Sequence, residues 1–259
     1  MSTLKPITLI TGASAGIGAA FARICAEKDH EIVLVARREG QLAARAEAIA
    51  LAGWRRPQTI AVDLSLPGNT DHLANELARR GLEPAIVINC AGYGLRGQAA
   101  ELDRINQLGM IDLNIRTLTD LSLRFIDSVT RHAGGIINVA SVAAFFPGPG
   151  MAVYYASKAY VLALSEALHS ELAPRGVRVT TVCPGPVPTE FHARAGVDGS
   201  RLPRSFTRTA ERVAREGYEG FLRGRRIVVT GGANKLVISL YRFLPRALVL
   251  RLAQTYQLQ

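Results

Sequence analysis

Cysteine is scarce in this sequence, with three residues in 259. Cys25, Cys90 and Cys183 are odd in number and lack metal-ligand spacing, which argues against a disulfide-stapled scaffold and leaves no metal site to expect. They read as reduced, mostly buried thiols. Long apolar runs are also missing. No window reaches eighteen uninterrupted apolar residues, and the start Met1-Ser2-Thr3-Leu4-Lys5-Pro6 has no apolar signal core. A cytoplasmic location is the resulting expectation. Internal repeats and low-complexity tracts are absent too, which removes solenoids and disordered linkers from consideration. Acidic residues are in short supply, 21 against 31 Lys and Arg, for a net charge of +10. No nucleic-acid-binding module accompanies the excess, so nucleic acid is not an expected partner.

What is present describes a globular protein. Apolar residues make up 48% and charged residues 20% of a chain long enough for one α/β domain spanning 1–259. Short runs rich in Val or Ile occur at 7–11, 31–36, 58–62, 85–89, 135–140, 177–182 and 226–230, and alanine- and leucine-rich stretches separate most of them. Strands alternating with helices predict a doubly wound, Rossmann-type α/β fold with a seven-stranded parallel sheet. Long helices are expected at 108–132 and 151–173, the second ending near Pro174.

The first run, Ile7-Thr8-Leu9-Ile10, leads directly into Thr11-Gly12-Ala13-Ser14-Ala15-Gly16-Ile17-Gly18 and then into helix-forming residues from Ala19 to Lys28. Strand, glycine turn and helix start in that order place free amides where a pyrophosphate can meet them, so Gly12, Ser14, Gly16, Ile17 and Gly18 are candidate cofactor contacts. Far downstream, Ser141 precedes Tyr154 by thirteen positions, and Tyr154 and Lys158, four apart, share one face of a helix.

The Gly-x-x-x-Gly-x-Gly spacing resembles the short-chain dehydrogenase/reductase family, and the rest of the chain supplies that family's other motifs in order. Asn89-Cys90-Ala91-Gly92 follows the fourth strand, with Cys90 where a second Asn is common. Asn114 lies in a central helix, Ser141 ends the fifth strand, and Tyr154-x-x-x-Lys158 follows. Pro184-Gly185-Pro186-Val187-Pro188-Thr189 comes after the sixth strand. The resemblance covers roughly residues 5–232. It implies an oxidoreductase that moves hydride between a nicotinamide cofactor and a carbonyl or secondary alcohol, and a homodimer or homotetramer. It also implies roles. Tyr154 is the proton donor, Ser141 holds the carbonyl oxygen, Lys158 binds the nicotinamide ribose and favours the phenolate, and Asn114 anchors a water relay. Asn89, Ala91, Gly92, Pro184, Gly185, Val187 and Thr189 join the cofactor contacts, with Asp63 and Leu64 at the adenine edge.

Cofactor choice is argued from the end of the second strand, where Ala36 stands in place of an acid that would accept from a ribose 2′-hydroxyl. Arg37 and Arg38 follow, with the Ser14 hydroxyl nearby, and predict NADP(H) over NAD(H) through charge-assisted bonds to a 2′-phosphate. A solvated arginine pair opening a helix is the plainer alternative. Tyr155 lacks the Tyr154 spacing and is assigned to packing or subunit contact.

The substrate is less defined. The loop Ala143–Met151 contains Phe145 and Phe146, and a lid is expected over about 186–222. Apolar walls there point to a hydrophobic ketone, aldehyde or 3-oxoacyl compound, unless the phenylalanines pack into the protein or on another subunit. From Arg194 to Arg251 thirteen Lys and Arg face four Asp and Glu, so most of the excess charge sits late in the chain. Within it, about 234–257 reads as two short amphipathic helices broken by Pro245. That tail can lie on an anionic membrane surface, admit acyl chains, or pack on a neighbouring subunit, the last being favoured. A non-catalytic dinucleotide-binding regulator on the same fold is the competing class, and the intact Tyr-Lys pair weighs against it.

Overall fold

The computed structural model describes residues 4–195, 205–241 and 243–257. Seven strands form one parallel sheet: β1 (Lys5–Thr11), β2 (Ile32–Ala36), β3 (Gln58–Ala61), β4 (Leu82–Asn89), β5 (Gly135–Val139), β6 (Arg178–Cys183) and β7 (Ile227–Val229). Their order across the sheet is β3-β2-β1-β4-β5-β6-β7. The strand order reverses between β1 and β4, and in such sheets ligands bind in the crevice beyond the carboxyl ends of the strands at that point.

The strands are short apolar runs because both faces are covered. On β1, Ile7 and Leu9 join one core while Ile10 joins the other, and on β2 Val33 and Val35 oppose Ile32 and Leu34. This period-two division lets nearly every strand residue bury its side chain. One face carries α1 (Gly16–Glu27), α2 (Glu39–Leu51) and α9 (Ala210–Leu222), whose Phe21, Leu42 and Phe221 are fully buried. The other carries α3 (Asn69–Arg79), α5 (Leu118–Arg124), α6 (Ile126–Arg131) and α7 (Ala152–Leu172) through Leu77, Leu121, Val129 and Leu168.

The helix expected over 108–132 is present as a nearly continuous helical run, α4 (Arg104–Ile111), a π-helical stretch Asp112–Thr117, α5 and α6, interrupted only at Phe125. One sequence expectation needs correction here. The lid expected over 186–222 cannot extend over α9, because α9 places Val213, Ala214 and Phe221 in the core with α1. Its 196–204 portion lies outside the described residues. The helix after β6, α8 (Glu190–Ala195), and the two tail helices, α10 (Gly232–Tyr241) and α11 (Arg246–Gln257), close the carboxyl-end side of the sheet. Among the described residues, no helix is long and apolar enough to cross a membrane.

Candidate active site

At the β1/β4 reversal one hydroxyl ties the two strand ends together. Thr11 Oγ1 at the end of β1 accepts from the Cys90 and Ala91 amides at 3.0 and 3.1 Å. Gly12, at φ +65°, lets the chain leave β1 so close to β4 that a Cβ there would lie 2.8 Å from the Ala91 nitrogen. Gly18 faces a tighter limit, since its Cβ would fall 2.4 Å from the Gly12 carbonyl oxygen. Helix α1 therefore starts pressed against the turn. Its N-cap is Ala15, whose side chain cannot accept a hydrogen bond, so the first amides of a twelve-residue helix are left for a ligand. An anionic pyrophosphate fits this cradle.

A cavity of about 1330 Å³ runs from this turn along the carboxyl ends of the strands. Single small-molecule sites are commonly about 300 to 1,000 Å³, so the space suits a dinucleotide together with a substrate. Its walls include Gly12, Ser14, Gly16, Ile17 and Gly18 from the glycine turn, and Arg37, Arg38, Asp63 and Leu64 beyond β2 and β3. Ala91, Gly92, Pro184, Gly185, Val187 and Thr189 complete the cofactor side, and Ser141, Tyr154 and Lys158 face the same space.

Two expected site residues do not line it. Asn89 Nδ2 donates to Ser122 Oγ at 3.1 Å and to Asn138 Oδ1 at 2.9 Å, so its side chain is committed to a buried polar network. That corrects its assignment as a cofactor contact: the last residue of β4 turns its side chain into the layer against α5. Asn114, fully buried in the π-helical stretch, donates to the Tyr93 carbonyl and to Ser157 Oγ, both at 3.0 Å, and accepts from the Tyr93 amide at 3.1 Å. Both of its amide protons are therefore spent, and it fastens the strand-end segment at Tyr93 to α7. π-helical geometry is rare and concentrates at functional sites.

Helix α7 presents Tyr154 and Lys158 one turn apart. Lys158 Nζ donates to the Val139 carbonyl at 2.9 Å and lies 5.9 Å from the Tyr154 ring centroid. Burial pulls the ammonium down to about 8. Ser141 is extended at the end of β5, accepts from the Ala143 amide at 3.1 Å, and is hydrogen-bonded to the Tyr154 hydroxyl. Burial nonetheless pushes the phenol up to about 12, with the Ser141 bond only partly opposing it. Without a bound nicotinamide, desolvation of the ring is the largest influence on the phenol, and the Lys158 ammonium is bonded to the Val139 carbonyl. A neutral phenol at pH 7 is a proton donor. The Cys90 and Cys183 thiols are also pushed up to about 12 by burial, which leaves them protonated and unreactive.

At the other end of the cavity Arg38 donates to Ser14 Oγ at 3.2 Å and pairs with Glu190 at 2.7 Å, while Arg37 pairs with Asp63 at 3.5 Å. The substrate side joins the expected Phe146 and Phe191 to residues that motif reasoning did not place there, Tyr155 and Tyr241. Tyr155 lines the cavity rather than only packing, its ring lying against Gly148, where a Cβ would clash at 2.2 Å. Phe191 packs 5.3 Å from the Tyr154 ring, and Tyr241 of α10 meets Phe146 edge-on at 4.6 Å. Val237, Ile238, Leu244 and Val249 bring the tail into the same wall. Its amphipathic pattern was visible in the sequence; the surface it meets was not.

A nucleotide cradle at a sheet reversal, joined in one cavity to a Ser-Tyr-Lys set, defines a nicotinamide-dinucleotide-dependent oxidoreductase. Residues 6–198 match the family model described as short chain dehydrogenase, and the chain belongs to the short-chain dehydrogenase/reductase family. A sulfoacetaldehyde reductase from Chromohalobacter salexigens is 35% identical over 191 residues, 73% of this chain and 75% of that one. Among solved structures, a short-chain dehydrogenase from Sphingobium yanoikuyae in complex with NADPH superposes with a TM-score of 0.80 at 32% identity, covering 92% and 93% of the two chains. The bulky-bulky ketone specific alcohol dehydrogenase from Comamonas testosteroni gives 0.76 at 26% identity, covering 93% and 92%.

Proposed function

We propose that this enzyme is an NADPH-preferring reductase of apolar ketones, aldehydes or 3-oxoacyl compounds, with Tyr154 as the proton donor. The observation that carries the reading is the convergence of Ser141, Tyr154 and Lys158 on the cavity that also contains the uncapped start of α1. Bound nicotinamide supplies the hydride. Ser14, Arg37 and Arg38 would hold a 2′-phosphate, the α1 amides the pyrophosphate, Asp63 and Leu64 the adenine, and Lys158, Val187 and Thr189 the nicotinamide end. Lys158 has two N–H donors left for a ribose after its bond to Val139.

On the substrate, Ser141 donates to the carbonyl oxygen and polarises it. As negative charge builds on that oxygen it becomes far more basic than a phenolate, so the proton leaves Tyr154 even from a pKa of about 12. Asn114 acts as a positioning residue through Ser157 and Tyr93; its spent amide leaves only its remaining oxygen lone pair or its backbone to order a water relay. Phe146, Met151, Phe191 and Tyr241 make the substrate wall apolar, in keeping with the bulky ketones named for the Comamonas testosteroni relative. Exposed Ile105, Leu108, Leu123 and Tyr160 on the α4–α5–α7 side support a homo-oligomer, and the reduced thiols support a cytoplasmic setting.

The test is NADPH consumption by the purified protein over a panel of apolar ketones, aldehydes and 3-oxoacyl thioesters. Turnover that rises with apolar bulk supports the reading, and binding of NADPH with no turnover across the panel would overturn it. The Lys158 environment adds a pH prediction. With its ammonium pulled down to about 8, the charge is present below that pH and lost above it, so kcat/KM for NADPH, which reports the free enzyme, should fall above pH 8. Lys158→Arg keeps the charge at all accessible pH and should move that limb upward whatever its effect on the plateau rate. An unmoved limb would assign it to another group.

A further inference from the structure

After Glu219 the sequence contains seven Lys and Arg and no Asp or Glu. The same stretch holds α10 and α11, and their apolar residues are not confined to the inner side. Of the sixteen large apolar residues that are exposed among the described residues, seven fall between Leu236 and Leu250, with Phe243 85% and Leu236 61% exposed. Lys235, Arg246 and Arg251 are exposed beside them. Water is a poor solvent for such a face, and single scattered apolar residues would need no explanation whereas a cluster does.

We propose that the outer face of α10 and α11 docks on an anionic lipid bilayer. Short helices that carry apolar residues and cations together lie in the headgroup region, with the apolar side chains inserted and the cations held at the negative surface. The absence of any spanning helix among the described residues makes the contact peripheral. Charge complementarity selects this occupant over a second copy of the chain. In a two-fold contact through this face each tail would meet its own image, bringing cations against cations with no acidic residue after Glu219 to relieve them. A bilayer rich in acidic headgroups supplies the missing sign.

The face is also continuous with the cavity. Val237, Leu240 and Leu244 are 42%, 56% and 40% exposed and at the same time line the cavity wall. The apolar patch and the cavity wall therefore share residues, which would give an apolar compound dissolved in the bilayer a route to the pocket along an apolar surface. Docking itself stands independently of the reductase reading, since sedimentation reads it without turnover.

The experiment is co-sedimentation of the full-length protein with phosphatidylcholine vesicles, with and without phosphatidylglycerol, at low and high salt. Binding to the anionic vesicles at low salt is expected, lost in high salt and on neutral vesicles. Lys235→Glu/Arg246→Glu should lower the partition coefficient by about tenfold or more, and Leu236→Ser/Phe243→Ser should lower it comparably. None of these four side chains lines the cavity or belongs to the core, so thermal unfolding midpoints should match wild type. The lipid and salt arms need no variant and decide the matter if one misfolds. Absence of wild-type binding, or binding that ignores lipid charge and both variants, overturns the proposal. So does a wild-type oligomer that ignores vesicles and that Leu236→Ser/Phe243→Ser dissociates, since a second copy would then cover the face.

Discussion

Tyr154→Phe should reduce turnover by about 10²- to 10⁴-fold, the range for loss of a positioned general acid, while NADPH binding stays within a few fold of wild type. The substitution removes one oxygen and little else. The ring stays in its setting, packed against Phe191 at 5.3 Å and edge-on to Tyr155 at 6.0 Å. Lys158 keeps its place because Val139, not the phenol oxygen, accepts its hydrogen bond. Ser141 loses a partner but retains the Ala143 amide. The fold is therefore preserved, and the expected signature is a fall in kcat with an unchanged cofactor dissociation constant by fluorescence titration. Turnover within tenfold of wild type would remove Tyr154 from the proposed role. Ser141→Ala, measured alongside, separates proton donation from polarisation, because it leaves the donor in place and removes only the hydroxyl that holds the carbonyl oxygen.

The sequence made the sheet readable because a parallel sheet covered on both faces leaves a simple trace: short Val- and Ile-rich runs such as Ile32–Ala36, separated by helical stretches. Tyr154 and Lys158 were readable for a related reason, since four-residue spacing on a helix fixes a shared face regardless of context. What escaped depends on distant partners. The π-helical stretch around Asn114 leaves no mark in the residue types; it occurs where Asn114 is pinned at once to Tyr93 and to Ser157, residues 21 and 43 positions away. Asn89 follows a motif that marks the cofactor crevice, yet its own side chain is claimed by Ser122 and Asn138 behind the strand. Tyr155 lies about 100° around α7 from Tyr154, which on sequence grounds directs it elsewhere. The cavity wraps that turn of the helix, and side-chain-free Gly148 lets the ring sit there. The inward side of the tail was illegible for the same reason: its amphipathic pattern gives two faces but not what each one meets.

Replacing both Arg37 and Arg38 by alanine should raise KM for NADPH by about 10- to 100-fold, with NADH kinetics changed less than threefold, since hydrogen bonds to charged groups contribute about 1.5 to 3 kcal/mol. The two arginines directly follow the end of β2, and each already has an acidic partner, Asp63 at 3.5 Å for Arg37 and Glu190 at 2.7 Å for Arg38. A 2′-phosphate therefore competes with carboxylates for them. Arg37, Arg38 and Glu190 are all about half exposed, so those ion pairs are weak holdings and a phosphate carrying more charge can displace them. Ser14 Oγ accepts from Arg38 at 3.2 Å, a neutral contact that no carboxylate contests. Ala36 matters by what it lacks, because an acid at that position would accept from the ribose hydroxyl of NADH and repel the phosphate. Ala36→Asp added to the double variant should then lower KM for NADH and complete an inversion of preference. Steady-state kinetics with both cofactors on one substrate provide the check. A parallel loss of NADPH and NADH activity would mean that the arginines support the fold of the cleft rather than read the phosphate, and an unchanged ratio would move cofactor selection away from β2 altogether.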